Sequence, residues 1–150
     1  MIDLTSAAVR CLIDTLFIKA AAPAVLYAVE EKVDVILLAS GWPYDDDKVR
    51  SAIAQAAAYD IPIVCPSGNY GKNISIEKNN HYPCGYTETM DGIICVAGTI
   101  GDTMRLHEKS NFASFVDTAT PIRAFSTNYR GGYEYGTGTS LSAAITAGAA

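Results

Sequence analysis

Residues 33–66 read VDVILLASGWPYDDDKVRSAIAQAAAYDIPIVCP, and this stretch decides the fold. It opens with the apolar run VDVILLAS, continues with a helical pattern, and closes with a second apolar run, IPIVC. Both runs are continuously apolar instead of alternating between apolar and polar residues. Strands of this kind belong to parallel sheets that are covered on both faces. The stretch therefore predicts a β-α-β unit whose two strands are parallel.

The same alternation continues in both directions along the chain. The further elements that the pattern predicts are the strand AAVRCLI (7–13), a helix from Pro23 to residue 32, a long surface loop over 67–91, the strand GIICVAGTI (92–100), two short extended segments around Pro121, and a Gly-rich turn followed by a small-residue helix (131–150). We therefore predict an α/β fold: a doubly wound, mostly parallel sheet with helices on both faces. The length predicts one domain over residues 1–150.

The two predicted helices carry apolar stripes that would face the sheet. The stripe of the first helix consists of Ala22, Val25, Leu26 and Val29, and that of the second of Val49, Ile53 and Ala56. The second helix opens with Asp45, Asp46 and Asp47. Carboxylates at a helix start accept hydrogen bonds from free N–H groups and oppose the positive end of the helix dipole. We interpret this acidic run as a helix start and not as a metal site.

Composition and charge exclude several kinds of partner. The 150 residues carry a formal net charge of -5, which predicts no nucleic-acid partner and no attraction to an anionic membrane. No apolar stretch reaches the roughly 18 residues of a membrane helix, and the start MIDLTSAAVR lacks the layout of a secretory signal. These observations assign no cellular compartment.

Four cysteines are spread along the chain, with no C-x-x-C spacing. Cys11, Cys65 and Cys95 lie inside apolar runs typical of buried strands, whereas Cys84 follows Pro83 in the polar loop. Buried strand cysteines commonly behave as small apolar residues. We therefore expect free core thiols, which favours a reducing compartment.

Two short segments combine turn residues with groups that can perform chemistry. In GTGTSLSAA (136–144), Ser140 stands where the last helix should begin, so its hydroxyl is either an exposed nucleophile or an ordinary N-cap. In IPIVCPSGNYG (61–71), a buried strand ends in Ser67, Gly68 and Asn69. That places a carboxamide at the carboxyl edge of the sheet, where open α/β folds collect ligands.

The order of seven segments resembles the second half of the subtilase catalytic domain: VDVILLASG, PIVCPSGNYG, YPCGY, GIICVAGTI, FVDTATP, IRAFST and GTSLSAAITAG. The resemblance implies a serine endopeptidase acting on a polypeptide substrate, with Ser140 as the nucleophile and Asn69 as the oxyanion donor. It also implies that Ala39, Ser40 and Gly41 form the edge along which the substrate backbone lies. Ser67 and Gly68 would line the pocket for the residue before the scissile bond.

The sequence departs from the family pattern at several positions. Ala144 and Ile145 replace the Pro and His that often follow the nucleophile, and the turn at residues 119–121 lacks its Gly. More seriously, the Asp and His of the triad belong to segments that would precede Met1. We therefore expect a domain truncated at both ends, with an upstream segment or a second chain supplying the Asp and His. Both histidines of the chain, His81 and His107, are predicted to be ordinary surface residues.

Three interpretations of function remain open from the sequence. The chain is the C-terminal part of an active subtilase, a catalytically inactive subtilase fragment or peptide-binding module, or an unrelated α/β module that binds a small anion after Ser67. The third has little support, because neither G-x-G-x-x-G nor a Walker pattern occurs. No cofactor is predicted. Subtilases often carry structural calcium, but loop carboxylates such as Glu77 and Asp91 define no ligand set.

Overall fold

The computed structural model describes the backbone of residues 7–150 and the side chains of residues 17–150. Its elements, in chain order, are α1 (Ala7–Glu30), β1 (Ile36–Leu37), α2 (Asp47–Ala58), β2 (Ile63–Pro66), β3 (Ile93–Thr99), β4 (Thr118–Pro121), β5 (Arg123–Thr127), β6 (Tyr133–Thr137) and α3 (Thr139–Ala147). Two short 3₁₀ helices, Glu77–Asn79 and Cys84–Glu88, lie in the long loop between β2 and β3.

Within residues 7–150, the central sheet has four strands in the order β1-β2-β3-β4, and every neighbouring pair is parallel. One face packs against α1 and α2, through side chains such as Ile63 and Cys95. The other face packs against α3, where Val64 and Val96 contact Ala143. Because β2 is buried along its whole length, it needs apolar residues on both faces, as its sequence IVCP provides. The predicted α/β class, with helices on both faces of a parallel sheet, is confirmed.

The second helix follows the sequence prediction closely. Asp46 caps it, and its Oδ1 accepts hydrogen bonds from the backbone N–H groups of Lys48 and Val49, each at 3.0 Å. The three residues predicted to face inward are fully buried: Val49, Ile53 and Ala56. They pack against the buried stripe of α1, whose members Val25 and Val29 are at most 6% exposed.

The start of the chain differs from the prediction. Residues 7–13 were expected to form a strand and Pro23 to open a helix, but both lie within the single 24-residue helix α1. Periodicity cannot separate a short apolar strand from a buried helical segment. Here no Gly separates the two segments, and the run KAAAPAV joins them through alanine, the strongest helix former. Pro23 therefore removes one N–H donor from the helix interior without ending the helix.

Two later segments also differ from the prediction. The Gly-rich stretch after residue 131 was expected to be a turn, but Tyr133–Thr137 forms β6, which pairs antiparallel with β5. The hairpin exposes Phe125, Tyr133 and Tyr135. The loop over 67–91 does not lie wholly on the surface, because Ile74, Cys84 and Tyr86 are at most 2% exposed.

The expectation of free cysteines is wrong for two of the four. Cys84 and Cys95 form a disulfide that ties the loop after β2 to strand β3. Cys65 is a free, fully buried thiol on β2, and burial raises its pKa, with a further increase from the nearby Asp117 carboxylate. The side chain of Cys11 lies outside the described residues.

Within residues 7–150, none of the helices combines the length and the apolar character that crossing a membrane requires.

Candidate active site

Ser140 lies at the start of α3, one residue after the helix begins. The N-cap of this helix is Gly138, so the alternative that Ser140 is itself the N-cap is wrong. The half-buried Ser140 donates its hydroxyl proton to the carbonyl oxygen of Ala39, at 3.0 Å. Its backbone N–H finds no acceptor among the described residues, as expected in the first turn of a helix. The predicted nucleophile and a free N–H donor thus share one residue.

Asn69 is held next to this helix start by its carboxamide oxygen. Oδ1 accepts hydrogen bonds from the backbone N–H of Thr139, at 2.8 Å, and from the Thr139 hydroxyl, at 3.1 Å. Since both bonds use the oxygen, the Nδ2 group of Asn69 keeps its protons for another acceptor. No partner for Nδ2 occurs in the part of the chain that the structure describes. The structure therefore brings together the two residues that the sequence singled out for catalysis.

The turn that carries Asn69 depends on Gly68. Its φ angle of 101° is one that residues with side chains rarely adopt, and a Cβ there would lie 2.4 Å from Nδ2 of Asn111. The Gly68 N–H donates to the Thr139 hydroxyl at 3.1 Å. Thr139 is fully buried, so one hydroxyl connects the turn after β2 with the start of α3.

Ser67 supports the same turn from inside the protein. It is fully buried, and its hydroxyl donates to the carbonyl oxygen of Asn111 at 3.0 Å. Asn111 returns a bond from Nδ2 to the carbonyl oxygen of Ser67, at 2.9 Å. The Ser67 side chain is therefore part of the framework behind the turn. The predicted pocket-lining roles of Ser67 and Gly68 stay predictions.

Ala39, Ser40 and Gly41 follow β1, at the carboxyl end of the edge strand. Ala39 is exposed, whereas Ser40 and Gly41 are half-buried. The contact between Ala39 and the Ser140 hydroxyl places this segment beside the helix start. After Gly41 the chain turns to a backbone pair in which Trp42 and Tyr82 exchange both N–H to carbonyl bonds, at 2.9 and 2.8 Å. Substrate pairing to this edge stays a prediction.

His81 is the residue of this region that the sequence prediction misjudged. It is not a surface histidine: its Nε2 is buried and has no hydrogen-bond partner among the described residues, and burial lowers its pKa to about 4. The ring packs on two glycines. A Cβ on Gly41 would lie 2.2 Å from Nε2, and a Cβ on Gly68 would lie 3.0 Å from the same atom. These glycines were a signal in the sequence, because a ring can approach the backbone closely only where side chains are absent.

Neither histidine acts on Ser140 in this structure. His107 lies in a turn, where its Nδ1 accepts the Lys109 N–H at 3.1 Å. Within residues 17–150, the Ser140 hydroxyl bonds to a carbonyl oxygen, which cannot take up its proton. A serine without an adjacent base is a poor nucleophile at neutral pH.

The body of α3 tolerates the departures from the family pattern. The Ser142 hydroxyl shares its one proton between the carbonyl oxygens of Thr120 and Pro121, both at 3.2 Å. The Thr120 hydroxyl donates to the carbonyl oxygen of Ser142 at 2.8 Å. These bonds fix the helix to the end of β4. The helix continues through Ala144 and Ile145 to Ala147, as predicted from the high helix propensity of alanine.

Two of the cavities in the described part of the chain border the site. One of about 540 Å³ is lined by Asn69 and Gly138, and one of about 250 Å³ is lined by Gly41 and His81. In the described part of the chain, no three His, Cys, Asp or Glu side chains are grouped so that they could hold a metal ion.

The model of the subtilase family (peptidase S8) matches residues 12–150. The major intracellular serine protease of Bacillus subtilis (strain 168) is 32% identical over 124 residues, which are 82% of this chain and 37% of that protein. The intracellular serine protease of Paenibacillus polymyxa is 31% identical over 126 residues, or 83% of this chain and 37% of that protein.

Solved structures show the same fold. A cold-adapted subtilisin-like serine proteinase superposes with a TM-score of 0.70 at 22% identity, covering 85% of this chain and 44% of that one. The chain spans 37% of the length of each curated relative named above. Because the family model matches all but the first 11 residues, the chain belongs to the subtilase family.

Proposed function

We propose that this chain supplies the nucleophile and the oxyanion hole of a subtilisin-like serine endopeptidase. The observation that carries the proposal is the pair of hydrogen bonds from Thr139 to Oδ1 of Asn69. They join a residue after β2 to the residue directly before Ser140, and they leave Nδ2 of Asn69 available. A nucleophile beside two preorganised N–H donors is the arrangement that acyl transfer requires.

In this mechanism the Ser140 hydroxyl oxygen attacks the carbonyl carbon of the scissile peptide bond. Negative charge develops on the carbonyl oxygen, which receives hydrogen bonds from Nδ2 of Asn69 and from the N–H of Ser140. Collapse releases the amine and leaves an ester on Ser140, which water then hydrolyses. The substrate backbone lies along residues 39–41.

The proton of the Ser140 hydroxyl needs a base that the described residues do not offer. We propose that a histidine oriented by an aspartate comes from an upstream segment or from a second chain. The outer edge of β1 supports this, since β1 pairs only with β2 within residues 7–150. A further parallel strand could add there and bring these side chains to the same edge of the sheet. The Ser140 hydroxyl would then turn from the Ala39 carbonyl oxygen to the imidazole, which takes up its proton and passes it to the leaving amine.

A fluorophosphonate probe tests the proposal, because it reacts only with an activated serine. The protein would be expressed in its complete natural reading frame, treated with the probe, and digested for mass spectrometry. We expect one adduct, on Ser140, and its loss in the Ser140→Ala variant. Ser51→Ala on α2 is the matched control and should leave the adduct unchanged. A complete protein whose Ser140 remains unlabelled would contradict the proposal.

A second candidate is a catalytically inactive, peptide-binding subtilase fragment. The hydrogen bond from the Ser140 hydroxyl to the Ala39 carbonyl oxygen favours it, because this contact satisfies the hydroxyl without activating it. In that case the complete protein hydrolyses no peptide, and Ser140→Ala leaves its peptide affinity unchanged. Hydrolysis that disappears in Ser140→Ala would exclude this candidate.

A further inference from the structure

The cavity of about 250 Å³ beside the predicted substrate edge is lined by positively charged residues, although the chain has a net negative charge. It adjoins the edge through Gly41, and its wall includes His81, whose ring packs on both Gly41 and Gly68. Gly41 and Gly68 are the positions where the substrate backbone and the side chain before the scissile bond are expected. The cavity thus adjoins the place where that side chain is expected, and the His81 ring occupies the space between the two glycines.

Two ring nitrogens of residues that line this cavity are buried without a partner. They are Nε1 of Trp42 and Nε2 of His81, the two buried side-chain nitrogen or oxygen atoms left without a hydrogen bond among the described residues. Trp42 is 2% exposed, so its N–H cannot turn to bulk water. Indole nitrogen is only a donor, and a neutral imidazole donates from Nε2 in one of its two tautomers. A buried donor left unsatisfied costs about 1–3 kcal/mol. Both atoms are closed off from solvent, so an acceptor in the cavity reaches them only when a side chain around them moves.

The charged residues that line the cavity are both cations. Lys72 and Lys78 are exposed at its wall, and no Asp or Glu contributes to the lining. The Lys72 ammonium group lies 5.8 Å from the centre of the aromatic ring of Tyr70, which also lines the cavity. The attraction between cation and ring keeps the positive charge near the cavity opening. Two cations with no acidic residue beside them in the lining are complementary to a carboxylate.

We infer that this cavity selects an acidic side chain, Glu or Asp, at the substrate position before the scissile bond. The inference rests on the proposed function for the identity of the subsite. Lys72 and Lys78 would attract the carboxylate, and the ring nitrogens of Trp42 and His81 would donate to it once a side-chain movement opens them to the cavity. None of these four residues takes part in the proposed bond-breaking steps, so their role is specificity.

A binding experiment tests the inference without requiring catalysis. The probes are the capped peptides Ac-Ala-Ala-Pro-Glu-NH2 and Ac-Ala-Ala-Pro-Gln-NH2, which have the same shape and differ by one charge. Trp42 is the single tryptophan of the 150-residue chain, so its fluorescence reports occupation of the cavity. We expect the Glu peptide to bind at least tenfold more tightly at low salt, because hydrogen bonds to charged groups exceed neutral ones by about that factor. Raising the salt should reduce the difference.

Two double variants distinguish attraction by the lysines of the cavity from attraction by cations elsewhere on the protein. The double variant Lys72→Ala/Lys78→Ala should lose most of the preference for Glu, whereas Lys19→Ala/Lys48→Ala, which removes two exposed cations on α1 and α2, should keep it. Trp42→Phe, read by ligand-observed NMR, should weaken the Glu peptide more than the Gln peptide. Equal affinity for the two peptides, no binding of either, or loss of preference in both double variants would overturn the inference. If the fluorophosphonate leaves Ser140 of the complete protein unlabelled while the preference for the Glu peptide remains, the proposed catalysis is refuted and the inference about the cavity is not.

Discussion

The Thr139→Val substitution tests how the structure holds the proposed oxyanion donor in place. Valine keeps the branched shape of threonine but removes the hydroxyl, which accepts from the Gly68 N–H and donates to Oδ1 of Asn69, both at 3.1 Å. Because Thr139 is fully buried, water cannot replace the hydroxyl, and the Gly68 N–H loses its partner. Stranding a buried donor costs about 1–3 kcal/mol and losing a net hydrogen bond about 1 kcal/mol.

We therefore expect Thr139→Val to lower the free energy of unfolding by about 2–3 kcal/mol and the midpoint of thermal unfolding by roughly 5–10 °C. Urea unfolding followed by circular dichroism measures the first quantity. Thr139→Ser is the matched control: it restores the hydroxyl, loses one methyl group, and should cost only about 1 kcal/mol. If Thr139→Val unfolds within about 0.5 kcal/mol of the parent, the hydroxyl does not connect the turn and the helix in the way described.

Three further perturbations follow from the same structure. Burial lowers the pKa of His81 to about 4, so the folded state favours the neutral ring. The free energy of unfolding should therefore fall by up to about 3 kcal/mol as the pH drops from 6.5 to 4. Urea unfolding measures this pH dependence, which should be weaker in His81→Gln. Gly41→Ala should cost about 1–3 kcal/mol by overpacking, because its Cβ would lie 2.2 Å from the His81 ring, whereas Gly132→Ala, with 3.6 Å of clearance, should be nearly neutral in the same assay. Cys84→Ala/Cys95→Ala should lower stability by about 3 kcal/mol, since the disulfide joins residues 11 positions apart; an unchanged urea midpoint would show that the bond does not form.

The parallel core was predictable because its signals are local and agree with one another. Residues 61–66 are apolar without alternation, and Asp46 precedes a clear helical stripe, so strand and helix could each be assigned from their own sequence. The position of Asn69 at the end of β2 followed directly. The contact between Asn69 and Thr139 could be inferred only through the family resemblance, since no local pattern links residues 70 positions apart.

The parts that sequence reasoning missed depend on tertiary contacts. Residues 7–13 are apolar enough for a strand, and only their continuity with the alanine run before Pro23 makes them helical. Cys84 stands in a polar loop, and nothing in its surroundings indicates that the loop folds back to Cys95 on β3. His81 follows two asparagines and looks solvent-exposed, yet the side chains absent at Gly41 and Gly68 leave space that its ring fills.

The kinetic effect of Asn69→Ala on peptide hydrolysis by the complete protein tests the central claim most directly. If Nδ2 of Asn69 stabilises the oxyanion, the variant should lose about 100-fold or more in kcat while KM changes little, because the bond forms only in the transition state. Unfolding measurements on the same variant would confirm that it remains folded. A folded Asn69→Ala variant whose kcat stays within about threefold of the parent would contradict the assignment of Asn69 as the oxyanion donor.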